Sequence, residues 1–291
     1  MKNLSVFSLI LLFYSIALSA KEPAKVLIVT GQNNHNWQVS SVILQKYLNE
    51  SDLFVADIAV SPGKGEDMSV FRPDFSAYKT VVLDYTDFDG DAWSDATNAA
   101  FLDYVKKGGG VVVYHAAASA FPKWKEYNEI IGLGAWGGRN EKDGPYVYFK
   151  DGKEVRDYLP GPGGSHGKQH EFVVTVRNKK HPITKGLPLS WTHAKDELYD
   201  SMRGPALNIT ILATAFSDKS TDGSDRDEPV LMAIRWGKGR IFHTTLGHVW
   251  DDQTEYPAVE CVGFIVTFLR GVEWTVTGKV TQKIPENFPK L

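Results

Sequence analysis

Apolar residues recur along the chain in two rhythms. Short, nearly continuous apolar runs mark strands buried on both faces, and they fall at Lys25–Thr30, Phe54–Val60, Thr80–Tyr85 and Val111–Tyr114. Two intervening segments carry helical spacing instead. Trp37–Asn49 places Val39, Val42, Ile43, Tyr47 and Leu48 on one face, and Ala92–Lys107 does the same with Ala96, Ala99, Phe101, Leu102 and Val105. Gly108-Gly109-Gly110 closes the second helix, because glycine takes the left-handed cap conformation at little cost. Strands and helices in this order predict a parallel sheet covered on both faces.

The second half reads differently. Glu171–Val176, Ile209–Ala215 and Val230–Arg235 are predicted strands, and Arg240–Thr245 returns as a hairpin after the turn Trp236-Gly237-Lys238-Gly239. A long helix follows from about Tyr256 to Arg270. From Gly132 to Gly167 the chain is rich in glycine and aromatics, and Gly161-Pro162-Gly163-Gly164 excludes regular helix. That stretch reads as a lid or binding loop, or as an exposed excursion. The polar, proline-bearing segment 278–291 reads as a loosely held tail.

Composition narrows the class. With 291 residues, 43% of them apolar, the chain can bury a full core. A net charge of -3 without a Lys/Arg cluster gives no electrostatic case for a nucleic-acid or anionic-membrane partner. Lys2, the apolar run Leu4–Leu18 and the small pair Ser19-Ala20 read as a secretory signal peptide over residues 1–20. The remaining domain, 21–277, is then periplasmic or secreted, with no membrane insertion after cleavage. Cys261 is the only cysteine, so there is no internal disulfide. Its apolar surroundings make it a small core residue rather than a nucleophile.

The candidate chemistry is imidazole. Ligands of open α/β sheets bind at the carboxyl ends of the strands. There the first strand runs into Gly31-Gln32-Asn33-Asn34-His35-Asn36-Trp37, and the fourth into His115-Ala116-Ala117-Ala118-Ser119. His35 and His115 are therefore candidates for proton transfer or metal ligation. Asn33, Asn34 and Trp37 suit a sugar, since amides bond hydroxyls and an indole face stacks on pyranose C–H groups. His248, in Leu246-Gly247-His248, follows a strand and a glycine much as His115 follows its strand. His166 and His170 lie in or beside the glycine-rich segment as lid residues. The pair Asp196-Glu197 offers carboxylates, with Tyr199 as a supporting donor, or alternatively Glu197 pairs with a cation such as Arg240.

These motifs occur in an order that resembles the trehalose-utilisation, or ThuA-like, family. They are Asn33-Asn34-His35-Asn36-Trp37, Gly109-Gly110-Val111-Val112-Val113-Tyr114-His115, His181-Pro182-Ile183, Asp196-Glu197-Leu198-Tyr199, Gly237-Lys238-Gly239-Arg240 and Leu246-Gly247-His248. The resemblance spans roughly Lys25 to Val272. It implies the fold of class I glutamine amidotransferases: a flavodoxin-like three-layer α/β sandwich with a mostly parallel sheet and an added β-hairpin region. It also favours Glu197 over Asp196 as the working carboxylate. Glutaminase chemistry is excluded, because the turn after the fourth strand carries His115 and no cysteine.

The resemblance further implies sugar metabolism alongside 3-keto-glycosides. A ketone at C3 acidifies the C2 proton, which His35 or His115 would remove. Elimination, hydrolysis or isomerisation would follow. One divalent metal held by His115, His248 and Glu197 would assist, and no nucleotide cofactor is expected. Two alternatives remain: a hydrolase of unoxidised glycosides, which needs a second converging carboxylate, and a non-catalytic carbohydrate-binding protein.

Overall fold

The computed structural model describes residues 22–291, so the signal-peptide reading lies outside the described residues. The described residues form thirteen strands and five α-helices. The first half contains β1 (Ala24–Thr30), α1 (Trp37–Asn49), β2 (Phe54–Val60), β3 (Thr80–Leu83), α2 (Asp95–Lys106), β4 (Gly110–Tyr114) and α3 (Lys125–Ile131). Then come β5 (Tyr146–Lys150), β6 (Lys153–Asp157), β7 (Ser165–His166), β8 (His170–Val176), β9 (Ser190–Asp196) and β10 (Tyr199–Asp200). β11 (Ile209–Ser217), β12 (Arg226–Trp236), β13 (Gly239–Thr244), α4 (Pro257–Glu260) and α5 (Val262–Thr277) complete the set.

Strand order in the main sheet is β2-β1-β3-β4-β13-β12-β11-β8-β9, with the β5–β6 hairpin attached at β12. The block from β2 to β13 is parallel. From β13 outward through β12, β11, β8 and β9 pairing is antiparallel. β7 and β10 form a separate two-stranded ladder. The fold is thus a flavodoxin-like three-layer α/β sandwich with a hairpin-built extension.

Alternation along the central strands serves two cores, one on each face. Val26 and Ile28 of β1, with Val112 and Tyr114 of β4, face Leu44 and Leu48 of α1 and Phe264 and Phe268 of α5. Leu27, Val29, Val111 and Val113 face Phe101 and Tyr104 of α2 and Tyr127 and Ile130 of α3. Both layers start from local capping. The Asn36 side chain accepts from Val39 N–H at the head of α1, and Ser94 accepts from Thr97 N–H at the head of α2.

Three expectations need correction. The final helix is broken after Glu260, and Cys261 lies at the break, half-buried; it packs against the apolar core as expected, with its Sγ also 3.5 Å from His193 Nδ1. The glycine-rich middle contains a real hairpin, β5–β6, paired over five positions. The tail is anchored rather than loose. Buried Arg270 donates to the carbonyls of Pro182, Ile183, Lys185 and Gln282, Thr281 N–H donates to Glu273 at 2.7 Å, and Phe288 packs against Trp191 at 5.4 Å.

Candidate functional site

Every strand of the parallel block ends at one edge of the sheet, and the loops leaving that edge carry the imidazoles. After β1 the chain turns at Gly31, where φ is +120° and a Cβ would lie 2.4 Å from the Ser61 amide nitrogen, so only glycine fits. His35 follows. His115 comes directly after β4, and its own backbone is left-handed, with φ at +41°. That conformation is costly for a non-glycine residue and is typically held at functional turns. The buried residues Ala116 to Ala118 keep the bend compact. His248 follows β13 and Gly247, whose φ is +102°. Glu197 arrives from β9, at the far antiparallel edge.

These four residues converge. One ligating atom from each of His35, His115, Glu197 and His248 lies within 4.8 Å of the others. Glu197 is the centre: Oε2 is 3.7 Å from His115 Nε2 and 3.9 Å from His35 Nε2, while Oε1 is 3.7 Å from His248 Nε2. His166 Nε2, from β7, approaches the same Oε1 at 3.5 Å.

Surrounding acceptors set the ring orientations. His35 Nδ1 lies 3.2 Å from both Asn33 Oδ1 and Asn34 Oδ1, and His115 Nδ1 is 2.5 Å from the Thr245 carbonyl oxygen. Oxygens accept, so in the neutral form of both rings Nδ1 carries the proton and Nε2 turns a lone pair toward the centre. Both Nε2 atoms are buried without a hydrogen-bond partner. His248 Nδ1 meets the Gln169 amide at 3.3 Å.

The electrostatics follow from burial and from the carboxylate. Burial lowers His35 to about 4, opposed by its contact with Glu197. Burial and the neighbouring His115 charge lower His248 to about 3. Burial also opposes charge on His115, but Glu197, Asp196 and the Thr245 carbonyl outweigh it and raise that ring. Glu197 is held far below the usual carboxylate range: burial disfavours its charge, and His115 and His35 more than offset this. At neutral pH the pocket therefore keeps the Glu197 carboxylate ionised and the His35 and His248 rings neutral, while His115 is held toward its charged form.

Two buried acids hold this cluster from behind. Asp196 accepts from Glu197 N–H (2.7 Å) and His248 N–H (3.1 Å) on Oδ1, and from Gly247 N–H and the His193 ring (both 2.8 Å) on Oδ2. One carboxylate thus ties the loop after β9 to the loop after β13. Asp84, at the end of β3, accepts from Asn33 Nδ2 at 3.1 Å and from Ser40 Oγ at 2.6 Å. Outer-shell partners of this kind fix ligand rings in metal sites.

Above the cluster is a cavity of about 400 Å³, lined also by Asn34, Phe88, Ser119, Trp136, Gln169, Tyr199 and Trp250. The sequence-predicted residues His35, His115, Glu197, His248, His166, Asn34 and Tyr199 all line it or lie at its floor. Three others do not. Asn33 lies behind His35 and serves its ring. Trp37, the first residue of α1, borders a separate depression with Lys64 and Asp89. His170 turns its Nδ1 to the Lys168 carbonyl and packs on Phe172. Phe88, Trp136, Gln169 and Trp250 take the wall positions instead. Asp84 was findable, because a carboxylate ends the apolar strand Val81-Val82-Leu83 just as His115 ends β4. Arg240 does not pair with Glu197; its guanidinium donates to carbonyls at the end of α5.

The donor set, three imidazole nitrogens and one carboxylate around a point with orphaned lone pairs, suits zinc, iron, nickel or manganese. Among the described residues, Glu197 is the one carboxylate lining the cavity.

Fold and pocket together define a flavodoxin-like sandwich whose strand-end loops build a three-histidine, one-glutamate cluster. The chain belongs to the ThuA family, described as trehalose utilisation, whose sequence profile matches residues 25–275. It is similar to the crystal structure of a ThuA-like protein from Parabacteroides merdae, with 58% identity, TM-score 0.88 and coverage of 92% of this chain and 95% of that one. A ThuA-like protein from Bacteroides uniformis shares the fold at 20% identity and TM-score 0.57, over 92% of this chain and 98% of that one. No curated protein matches the chain.

Proposed function

We propose that the chain is an exported carbohydrate enzyme that acts on 3-keto-glycosides by removing the proton at C2, with one divalent metal in the cluster of His35, His115, His248 and Glu197. The observation that carries this reading is the convergence of four donors, two of them buried lone pairs without partners, on the floor of a sugar-sized cavity. When bound, a divalent cation supplies Lewis-acid polarisation of the C3 carbonyl.

With the four donors committed, His166 is the imidazole left to move protons. Its side chain is 40% exposed, it faces the same carboxylate, and it stands on a short ladder of its own. It takes the C2 proton, and the electron pair moves into the C3 carbonyl to give an enediolate. Collapse of that enediolate re-forms the C3 carbonyl, sets a C1–C2 double bond and breaks the C1–O bond, and the departing oxygen takes the proton that His166 removed. Tyr199 remains a neutral donor to substrate oxygen, since burial and the Glu197 charge raise its phenol well above the ordinary value. Water adding across the resulting enone completes a net hydrolysis, while reprotonation before cleavage gives isomerisation.

Glycoside hydrolysis by two carboxylates is not supported by a cavity with Glu197 alone. The test is release of alcohol from a methyl 3-keto-glucoside compared with methyl glucoside. Release from the keto compound alone is expected, with a loss of 10²-fold or more in His166→Gln, within the usual contribution of a general base. Release from the unoxidised glucoside, or from neither, overturns the reading. Export is tested by the N-terminus of the mature protein, expected at Lys21.

A further inference from the structure

We propose that Phe88 and Trp250 form a subsite for the group released from C1, and that this subsite takes a planar apolar aglycone. The inference rests on the keto-glycoside reading above. The reacting carbons must lie over the cluster, which is buried: His35, His115 and His248 are only 8%, 2% and 3% exposed. Whatever part of the substrate does not lie over that floor extends toward the opening. There Phe88 and Trp250 are 47% and 39% exposed while still lining the cavity. Single exposed aromatics are ordinary, but two lining one cavity add apolar area to its walls.

The Trp250 ring and the Phe88 backbone are each tied to the walls of the pocket. Trp250 stacks on His248, with centroids 5.7 Å apart and planes 11° apart, and meets His35 edge-on at 5.2 Å. Phe88 N–H donates to Thr86 Oγ1 at 3.1 Å, and that hydroxyl bonds Ser119 Oγ at 2.8 Å on the cavity wall. Surfaces ordered in advance cost little to engage. Such faces also stack on pyranose C–H groups, but these two side chains carry a single N–H between them for a sugar's hydroxyls, which favours a flat apolar leaving group. The cavity, about 400 Å³, is in the range of pockets that take ligands larger than a single sugar ring.

The test compares KM for methyl and benzyl 3-keto-glucosides, whose leaving groups are both alkoxides, and for a 3-keto-disaccharide. Wild-type protein, Phe88→Ala and Trp250→Ala are used, each at measured metal content. The wild type is expected to show a KM for the benzyl compound up to about tenfold lower than for the methyl compound, the scale of one aromatic contact. Each substitution is expected to shrink that ratio toward one. Equal KM values for benzyl and methyl, a ratio unchanged in both variants, or a larger loss for the disaccharide overturns the subsite while leaving the functional reading intact. Turnover of none of the three by the wild type overturns the functional reading and the subsite with it.

Discussion

Asp84 reaches His35 through a single amide: Asn33 Nδ2 donates to Asp84 Oδ1 over 3.1 Å, and Asn33 Oδ1 lies 3.2 Å from His35 Nδ1. The chain carboxyl–amide–imidazole fixes which nitrogen of His35 faces the cavity. Asp84→Ala frees the amide to rotate. Metal affinity is expected to fall about 10–100-fold, the usual effect of losing an outer-shell partner. Asn33→Ala should do the same, and the double variant should lose little more than either single one. Titration with zinc or manganese checks this, and full additivity would show that the two residues act independently.

Asp196→Asn tests the second tie. Its oxygens take four N–H donors from three elements, one of them the buried His193 ring. Removing one partner of a buried charge pair costs roughly 3–5 kcal/mol. The variant is expected to unfold at markedly lower urea concentration. Any folded fraction should bind metal less tightly, because Glu197 and His248 lose a common anchor.

The same pair gives stability a pH signature. His193 is fully buried, and although burial opposes its charge, the Asp196 contact raises it to about 9. A histidine raised above its unfolded value of about 6.5 contributes fully below that value, and the contribution is lost as pH rises through about 9. Denaturation midpoints should fall between pH 7 and pH 9.5, and the slope should flatten in His193→Gln. An identical slope in the variant would assign it to other groups.

Glu197→Gln keeps the shape of the central side chain and removes its charge. Glu197 is what raises His115 against the cost of burial. In metal-stripped protein the His115 ring should then titrate at lower pH, as read by nuclear magnetic resonance of the imidazole. Metal binding should weaken in the same variant, and an unmoved His115 would mean that another charge governs it.

The sandwich was legible because β1, β2, β3 and β4 are nearly continuous apolar runs, a pattern that buried parallel strands share with few alternatives. His35 and His115 were legible for a related reason, since His115 directly follows its strand and His35 lies in the loop that leaves β1, and both loops emerge at the sheet's edge. Trp37 misled because it is the first residue of α1, and the helix start turns it to the side of the sheet edge away from the cavity. Trp136 and Trp250 were not legible, because long-range contacts bring them in. Trp136 N–H bonds the Gly163 carbonyl at 2.6 Å, and Trp250 meets the His35 ring edge-on at 5.2 Å. The β5–β6 hairpin was hidden in Tyr146-Val147-Tyr148-Phe149, where aromatics on both faces erase the two-residue alternation.

Isotope exchange at C2 is the most direct measurement. A 3-keto-glucoside is incubated in D2O with the protein, first stripped of metal and then reconstituted with one equivalent of zinc, manganese, iron or nickel. Deuterium is expected at C2 and at no other carbon, with at least one of these ions restoring exchange at a stoichiometry near one, and with exchange abolished in Glu197→Ala. Absence of exchange under every metal condition, or exchange that persists unchanged in Glu197→Ala, would contradict proton chemistry at this cluster.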